Sequence, residues 1–245
     1  MVFVKRHGEI SLSPKVLSDL SVGSTVYLKE NGVETEYILV NQGIPSNSVD
    51  YDYSCNGAWI LRKNIYSSGR WNSGNSDGDI NDYGNSTINN KTLNNFLSVL
   101  SQSVQSLIKT VKIPYIKGGS PNLGGTISTG ENGLPCKAFL LSQSEVGGTL
   151  EDDPYSVEVG AKLSFFDFGL STEAKEKRIA LTNVGSVSDW WLRTVPSSSM
   201  YGSDVEAISS TGTFVGFVMR TYTVGIRPAM VFPFDTPITE NGLIG

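Results

Sequence analysis

The sequence predicts a mixed α+β fold with short strands, two or three helices and long loops. Its 245 residues fit one large domain, and the 39% that are hydrophobic suffice for a core. Its 26 glycines, among many Ser, Thr and Asn residues, favour turns over continuous helix. Strand-like alternation recurs along the chain, whereas helical spacing is confined to short segments. We expect an N-terminal arm at 1–16, a domain at 17–235 and a C-terminal tail at 236–245.

The charge and hydropathy patterns disfavour nucleic acid and membrane as partners. The net charge is −5 and no basic run occurs, so a nucleic-acid backbone would be repelled. No apolar stretch reaches the length that spans a bilayer, so membrane insertion is not expected. The N-terminal residues MVFVKRHGEISLSP lack the apolar core of a secretory signal. We therefore expect release inside a phage particle or through an injection machine.

The two cysteines, Cys55 and Cys136, are too few for a disulfide framework. One bridge between them and two independent buried thiols both fit the sequence. Zinc binding by this pair alone is disfavoured, because His7 is the only histidine and zinc normally takes four nitrogen or sulfur ligands. No cofactor or metal is expected.

The first half of the chain predicts a hairpin followed by strands and two helices. Strand-like alternation at 24–42 is interrupted by Asn31-Gly32, the strongest two-residue turn signal. Apolar residues at helical spacing follow a capping residue, Asn85 or Ser86. The remaining predicted elements are a short helix from Pro14, a strand at 58–66, helices at 87–100 and 102–108, and a strand at 111–116.

A polar loop at 70–90 resembles the start of a calcium-binding loop. Asp77, Asp79 and Asn81 have the spacing of its first ligands. Asp82, however, stands where that loop needs Gly, and Ile88 stands at the twelfth position, where it needs Glu. A solvated loop is the favoured interpretation, and a non-standard calcium site is the alternative.

The second half begins with a short buried strand at 137–141. Ser142 and Glu145 then have the spacing of a capping box for one helical turn. Phenylalanines at 159–168 are expected to pack on the core, and 171–182 begins as a helix. A hairpin follows, with strands at 205–208 and 214–219 and its turn at 209–212.

The last third contains two apolar blocks that predict fixed core strands. They read DWWLRTVP (189–196) and VGIRPAMVFPFD (224–235). Arg193 and Arg227 lie beside large apolar residues, so we expect them to be paired or stacked on aromatic rings. Pro228 removes a backbone donor, so its strand should be short, bulged or at an edge. Between the blocks, 197–222 is predicted to be displayed as loops and a hairpin.

These blocks resemble an uncharacterised domain family of gut Firmicutes and their phages. The residues that carry the resemblance are Trp190, Trp191, Leu192, Arg193, Gly225, Ile226, Arg227, Pro228 and Ala229. AWILRKNIY, NDYGNSTINNKTLNNF and CKAFLLSQSEVGG add to it. The family is similar to the formylglycine-generating-enzyme branch of the C-type lectin fold. The resemblance therefore implies a C-type-lectin-like domain.

In that family, the insert between the two blocks resembles the variable region of proteins targeted by diversity-generating retroelements. This chain departs from the pattern in having fewer Tyr and Asn in its insert, and Thr194 follows WWLR where Ser is usual. The resemblance implies that residues 197–222 and their surroundings bind a ligand. The candidate contact residues are Trp191, Ser198, Met200, Tyr201, Asp204, Glu206, Thr213, Phe217, Met219, Thr221 and Tyr222.

The sequence contains no catalytic constellation that would predict an enzyme. There is no GxSxG or HExxH motif, and the last third lacks the cysteines of formylglycine-generating enzymes. We expect a receptor-binding viral protein of a phage tail that recognises a host-surface protein or glycan. Other virion subunits would be its neighbours, and a homotrimer would add avidity. The alternatives are a structural virion subunit without a ligand and, less favoured, a polysaccharide-acting enzyme.

Overall fold

The computed structural model describes residues 14–46, 49–73, 81–199 and 202–245, which form a strand-rich α+β fold. The strands are β1 Thr25–Glu30, β2 Val33–Gln42, β3 Ala58–Arg62, β4 Ser67–Gly69, β5 Val111–Ile113, β6 Tyr115–Lys117, β7 Thr126–Ser128, β8 Leu134–Cys136, β9 Ala138–Phe139, β10 Ala180–Leu181, β11 Val187–Ser188, β12 Trp190–Trp191, β13 Asp204–Ile208, β14 Phe214–Met219, β15 Val224–Ile226 and β16 Ala229–Phe232. The α-helices are α1 Leu93–Ser98, α2 Gln102–Leu107 and α3 Thr172–Arg178. The mixed α+β prediction is confirmed.

The first sheet has the strand order β1-β2-β3-β16-β9 and begins with the predicted hairpin. Asn31 and Gly32 both have positive φ, 49° and 84°, as a two-residue hairpin turn requires. One face of this hairpin is buried, because side chains alternate across a strand. All five residues of β3 are buried, and Trp59 contacts Tyr51 and Phe139 edge to face. The sheet centre is therefore the main core.

The second sheet has the order β14-β13-β12-β15-β4. β12 pairs with β13 in antiparallel and with β15 in parallel orientation, where Trp190 faces Gly225. A Cβ at Gly225 would lie 2.5 Å from the Asp189 carbonyl oxygen, so this motif position has no room for a side chain. β4 closes the far edge of the sheet through its pairing with β15.

The chain crosses from the second sheet to the first at Arg227 and Pro228. β15 ends at Ile226, and β16 begins at Ala229 between β3 and β9 of the first sheet. Pro228 has no backbone N–H, and its carbonyl accepts from the N–H of Arg62 at 2.9 Å. Of the three predicted possibilities, a short, bulged or edge strand, the structure shows the first, because Pro228 separates the short strands β15 and β16.

The predicted helix at 87–100 is confirmed, but it begins as a π-helix over Ile88–Thr92 before α1. Of the two predicted capping residues, Ser86 caps this helix: its hydroxyl accepts from the Asn89 N–H at 3.2 Å. Pro114 divides the predicted strand at 111–116 into β5 and β6, because proline cannot donate within a ladder. Near the N-terminus, the short helix predicted from Pro14 is only a single 3₁₀ turn, Leu17–Asp19.

Ser142 and Glu145 form the predicted reciprocal hydrogen bonds. The Glu145 N–H donates to Ser142 Oγ at 3.2 Å, and the Ser142 N–H donates to Glu145 Oε2 at 3.0 Å. The segment forms consecutive turns and not a helix. The helix predicted after Ser171 is α3, and its extended continuation is β10.

Cys55 and Cys136 are free thiols in the structure. The Cys55 thiol donates to the Lys112 carbonyl oxygen at 3.4 Å, and burial raises its pKa to about 12. Burial also raises the pKa of Cys136. Of the two alternatives left by the sequence, the structure has independent thiols, which stay protonated at neutral pH.

Residues 236–245, predicted as a tail, pack along the edge of the first sheet. Ile244 is 1% exposed, and its N–H donates to the Tyr27 carbonyl oxygen at 3.0 Å. The Tyr27 N–H donates in turn to the Gly242 carbonyl oxygen at 2.9 Å. This segment therefore covers the β1 edge and belongs to the folded unit. Among the described residues, no helix is long and apolar enough to cross a membrane.

Candidate binding face

The two tryptophans of β12 form the support beneath the predicted binding segment. Both are fully buried. The Trp190 indole N–H donates to the Arg178 carbonyl oxygen, and the Trp191 indole N–H to the Gly69 carbonyl oxygen, each at 2.9 Å. Trp191 was predicted to contact ligand, but its ring has no exposed surface. It holds β12 against β4 and does not line the face.

Arg193 forms a buried ion pair with Glu145. Two guanidinium nitrogens donate to the two carboxylate oxygens at 2.5 and 2.6 Å, and both side chains have 0% exposure. The Arg193 Nε–H donates to the Pro114 carbonyl oxygen at 2.8 Å, and the Tyr51 hydroxyl donates to Glu145 at 2.9 Å. Burial lowers the pKa of Arg193, but the Glu145 charge more than offsets it. The pair is a structural clamp that ties β12 to the 142–146 turns.

Arg227 is stacked as predicted. Its guanidinium carbon lies 5.0 Å from the Trp190 ring centroid, and its Nε–H donates to the Arg62 carbonyl oxygen at 2.8 Å. Burial and, to a smaller degree, the charge of Arg62 lower the pKa of Arg227. The stacking holds the sheet crossover against the core of the second sheet.

The predicted hairpin is β13–β14, and its turn docks on α3. Gly212 has φ 79°, and a Cβ there would lie 2.2 Å from the Lys175 carbonyl oxygen. The pairing register shifts between Val205 and Ala207, so β14 carries an extra residue opposite Glu206. Phe217 lies in this bulge with φ 58°, a backbone conformation that residues with a Cβ rarely adopt. The bulge turns the Phe217 ring toward solvent.

Four large side chains are exposed around this bulge, and we call them the hairpin face. Their exposed fractions are 44% for Phe217, 43% for Met219, 57% for Tyr222 and 52% for Tyr155. The rings of Tyr155 and Phe217 meet edge to face, with centroids 5.2 Å apart. Sequence reasoning missed Tyr155, because it lies in an acidic loop about fifty residues before the hairpin begins at Asp204. Its sequence context, DDPYS, contains no signal that links it to β14.

The other predicted residues have mixed positions. Ser198 is exposed, whereas Asp204, Thr213 and Thr221 are half-buried. Asp204 Oδ2 accepts from the Ser199 hydroxyl at 2.9 Å, and the Thr213 and Ser209 hydroxyl oxygens lie 2.6 Å apart. These two side chains therefore hold their own loops in place. Met200 and Tyr201 lie outside the described residues.

Glu206 is fully buried beneath the hairpin face. Neither carboxyl oxygen has a hydrogen-bond partner of good geometry. Burial raises the pKa of Glu206 well above its ordinary value; the nearby Ser156 hydroxyl offsets part of this rise, and the charge of Asp153 adds to it. Glu206 was predicted to contact ligand, but it lies below the surface, next to the loop that carries Tyr155.

A second buried polar side chain without partners lies near Glu206. The Gln143 amide nitrogen and oxygen are both unpaired. Thr194 links the two residues, because its Oγ1 accepts from the Gln143 N–H at 2.8 Å and its carbonyl accepts from the Glu206 N–H at 3.1 Å. Buried polar groups are normally paired, so the region beneath the face is unusual for a core.

A separate open cleft of about 720 Å³ lies between the end of β2 with the residues that follow it and the 144–168 segment. Its lining is polar and includes Asp50, Glu158 and Lys162. Burial, followed by the charge of Glu145, raises the pKa of Asp50. Of the predicted ligand-binding residues that the structure describes, none lines this cleft.

The described part of the predicted calcium loop has structural roles. The Asn81 amide donates to Ser120 Oγ at 3.1 Å, and Asp82 Oδ1 accepts from the Gly84 N–H at 3.0 Å. Asp77 and Asp79 lie outside the described residues. Within the described ranges, no group of three His, Cys, Asp or Glu side chains is placed to hold a metal ion.

The fold and the hairpin face define a strand-rich α+β domain that displays side chains from a hairpin and a neighbouring loop. The chain belongs to the family described as Domain of unknown function (DUF6273), which matches residues 56–234. That span contains the whole second sheet and three strands of the first, whereas the β1–β2 hairpin precedes it. No curated protein and no solved structure matches the chain.

Proposed function

We propose that the protein binds a ligand on a host cell surface through the hairpin face. The observation that carries the proposal is the group of four half-exposed large side chains around a strained bulge, above a tightly bonded support. Exposed apolar side chains that cluster mark interaction surfaces more often than single ones do. The ligand would be a surface protein or glycan, and the protein would be displayed on a phage tail or similar particle.

The composition of the face supports binding by a few anchors. Tyrosine, phenylalanine and methionine supply large contact areas at a small cost in side-chain entropy, as in evolved paratopes. Ser198 and Thr221 add hydroxyl groups that adapt to different partners. The buried ion pair and the stacked Arg227 hold the backbone beneath this face, so its exposed residues could be substituted without loss of the fold. We propose no reaction at this site.

The finer part of the proposal is a C-type-lectin-like fold of the formylglycine-generating-enzyme branch, with the insert diversified among relatives. Its support is the resemblance carried by the WWLR and GIRPA blocks. In this protein these blocks are buried strands that flank a hairpin whose outer strand, β14, is partly exposed. A fixed scaffold with a displayed insert is the arrangement that a variable binding protein needs.

A second candidate function is a structural virion subunit. It is favoured by an apolar patch on the β10–β11 hairpin, where Val184 is 88% and Val187 54% exposed. Leu181 is 36% exposed beside them. Such side chains are covered when a subunit packs against a neighbour. A trimer of this chain, or a contact with another virion protein, would bury them.

The test is a pull-down of the purified full chain on intact cells from a panel of gut Firmicutes. The binding variant combines Phe217→Ala, Met219→Ala and Tyr222→Ala. The matched control is Tyr53→Ala, which removes a 77% exposed aromatic ring far from the face in sequence. We expect the binding variant to lose cell binding at least tenfold, with an unchanged melting temperature. Equal binding by all three proteins would refute the proposal.

A further inference from the structure

We propose that the open cleft between the end of β2 and the 144–168 segment binds a neutral oligosaccharide. One sugar ring packs on Phe168, and sugar hydroxyl groups donate to Asp50 and Glu158, all three of which line the cleft. The cleft is separate from the hairpin face, so this inference does not rest on the proposed function.

The walls of the cleft are fixed by hydrogen bonds within the protein. Asn41 Oδ1 accepts from the N–H and the hydroxyl of Ser164, at 3.1 and 2.7 Å, which joins the end of β2 to the 144–168 segment. The Tyr51 hydroxyl accepts from the Ala161 N–H at 3.0 Å. The backbone at Gly160 lies so close that a Cβ there would be 2.4 Å from the Tyr51 hydroxyl oxygen. Sites for small ligands are concave and largely pre-formed, as this cleft is.

Phe168 supplies an aromatic surface in the lining. Its side chain is 61% exposed, and the Lys162 ammonium lies over its ring, 5.1 Å from the centroid. Lys162 also donates to the Phe166 carbonyl oxygen at 2.7 Å, which anchors the ammonium on the protein. Because the cation covers one side of the ring, the exposed surface includes the other side. The C–H groups of a sugar ring carry partial positive charge and pack on the negative face of an aromatic ring.

The polar part of the lining matches a ligand with many hydroxyl groups. Asp50 and Glu158 provide carboxyl oxygens, which accept hydrogen bonds from sugar hydroxyls. The Ser144 hydroxyl accepts from the Val159 N–H at 3.1 Å, so its own O–H remains a donor toward a ligand. A sugar hydroxyl both donates and accepts, so it pairs with each of these groups. An apolar ligand would displace their water without replacing its hydrogen bonds.

The charges of the lining disfavour an anionic ligand. Two acids, Asp50 and Glu158, stand against one base, Lys162, which is already held by the Phe166 carbonyl and the Phe168 ring. Among the described residues that line the cleft, none is arginine, the side chain best suited to bind phosphate or carboxylate through two hydrogen bonds. The ligand that fits the shape, the ring and the charges together is therefore a neutral oligosaccharide.

The test is binding of the full chain to an array of defined oligosaccharides, followed by calorimetric titration of those that bind. The array contains neutral chains of glucose, galactose, mannose and N-acetylglucosamine, and the same chains with a uronic or sialic acid. The peptide acetyl-Gly-Ser-Gly-Ser-amide is titrated as an uncharged polar chain without sugar rings. We expect a neutral oligosaccharide to bind at least tenfold more tightly than its acidic counterpart and the peptide. Binding of no neutral oligosaccharide, or equal binding of the acidic chain or the peptide, would overturn the inference.

Substitutions in the lining locate the site. Phe168→Leu keeps an apolar side chain without the ring, and we expect it to weaken binding of the best neutral oligosaccharide at least tenfold. Phe168→Tyr keeps the ring and should bind within twofold of the wild type. Glu158→Gln keeps the size but removes the charge that strengthens hydrogen bonds from hydroxyls, so a loss of at least threefold is expected.

Matched controls come from exposed neighbours outside the lining. Leu170→Ala and Glu151→Gln should bind the oligosaccharide as the wild type does. Unchanged binding by both Phe168→Leu and Glu158→Gln, with folding verified by melting, would overturn the inference.

The hairpin-face variant separates this inference from the proposed function. The combined substitutions Phe217→Ala, Met219→Ala and Tyr222→Ala should leave oligosaccharide binding unchanged, because none of these residues lines the cleft. Loss of oligosaccharide binding in this variant would place the sugar on the hairpin face and overturn the inference alone. If the variant keeps both oligosaccharide and cell binding, the proposed function fails and the inference is supported.

Discussion

Two buried glutamates of this protein have opposite environments. Glu145 receives two hydrogen bonds from Arg193 and one from Tyr51, so its burial is compensated. Glu206 has no comparable partner: the nearby Ser156 hydroxyl offsets only part of the effect of burial, and no basic group lowers its pKa. A buried carboxyl without a partner is accommodated in its neutral form. The difference makes Glu145 a stabilising structural residue, whereas Glu206 destabilises the fold when it is ionised.

The raised pKa of Glu206 predicts a pH-dependent stability. The neutral carboxyl is favoured in the folded state, so its contribution to stability is full below the pKa of an unfolded glutamate. The contribution is lost as the pH rises through the raised folded-state pKa. Glu206→Gln has no such loss. We therefore expect the variant to gain stability relative to the wild type between pH 5 and pH 8.5, measured by calorimetric melting.

The size of this gain follows from linkage, at about 1.4 kcal/mol for each pH unit by which the folded-state pKa of Glu206 exceeds that of an unfolded glutamate. For a chain of this length, each kcal/mol corresponds to about 2–4 °C in melting temperature. The exposed Glu240→Gln serves as the control and should show no such trend. A melting difference between Glu206→Gln and the wild type that is independent of pH would contradict the prediction.

At the scale of elements, the β13–β14 hairpin combines strand pairing with a local distortion. The bulge opposite Glu206 places Phe217 at φ 58°, whereas Phe214 at the start of the same strand has no positive φ. A left-handed conformation costs a residue with a Cβ about 1–2 kcal/mol, whereas glycine adopts it without this steric cost. The hairpin thus presents an aromatic ring at the expense of backbone strain.

This strain predicts an unusual order of stability at position 217. We expect Phe217→Gly to melt above Phe217→Val by an equivalent of about 1–2 kcal/mol, because valine is β-branched and resists positive φ. The opposite order should hold at Phe214, where Phe214→Val melts above Phe214→Gly because the backbone there is a regular strand. Thermal melting of the four variants measures both orders. The same order at both positions would disprove the strain.

At the scale of the whole molecule, the two sheets are joined by the crossover at Arg227 and Pro228 and closed by the C-terminal segment. Thr236 accepts through its carbonyl from the Leu17 N–H at 3.1 Å, and Ile238 and Ile244 are 6% and 1% exposed. The last ten residues therefore complete the first sheet, although the sequence predicts a tail there.

Removal of residues 236–245 is predicted to destabilise the protein. Each buried isoleucine contributes about 1.5–3 kcal/mol, and the β1 edge would lose its hydrogen bonds through Tyr27. The two isoleucines together contribute about 3–6 kcal/mol, so we expect a fall in melting temperature of about 6–24 °C, at about 2–4 °C per kcal/mol. Glu240→Ala, an exposed position in the same segment, is the control. A truncated chain that melts with the wild type would contradict the packing role.

Local signals in the sequence determined the hairpins, the caps and the approximate helices. Asn31-Gly32, the Ser142–Glu145 pair and the helix after Ser86 depend on residues close in the chain, so their patterns are readable. The pairing or stacking of Arg193 and Arg227 was also predictable, because a charge beside an apolar run needs compensation. The sequence alone likewise placed Phe217, Met219 and Tyr222 in a displayed segment.

Only the tertiary structure decided which of those residues reach the surface and which distant residues join them. Trp191 and Glu206 are buried, and Tyr155 comes to Phe217 from the acidic loop. The register shift in β14, the crossover at Pro228 and the packing of Ile244 depend on the same long-range contacts. Alternation in a strand sequence predicts that its two faces differ in polarity. The strands and loops packed on each side determine which face is solvated.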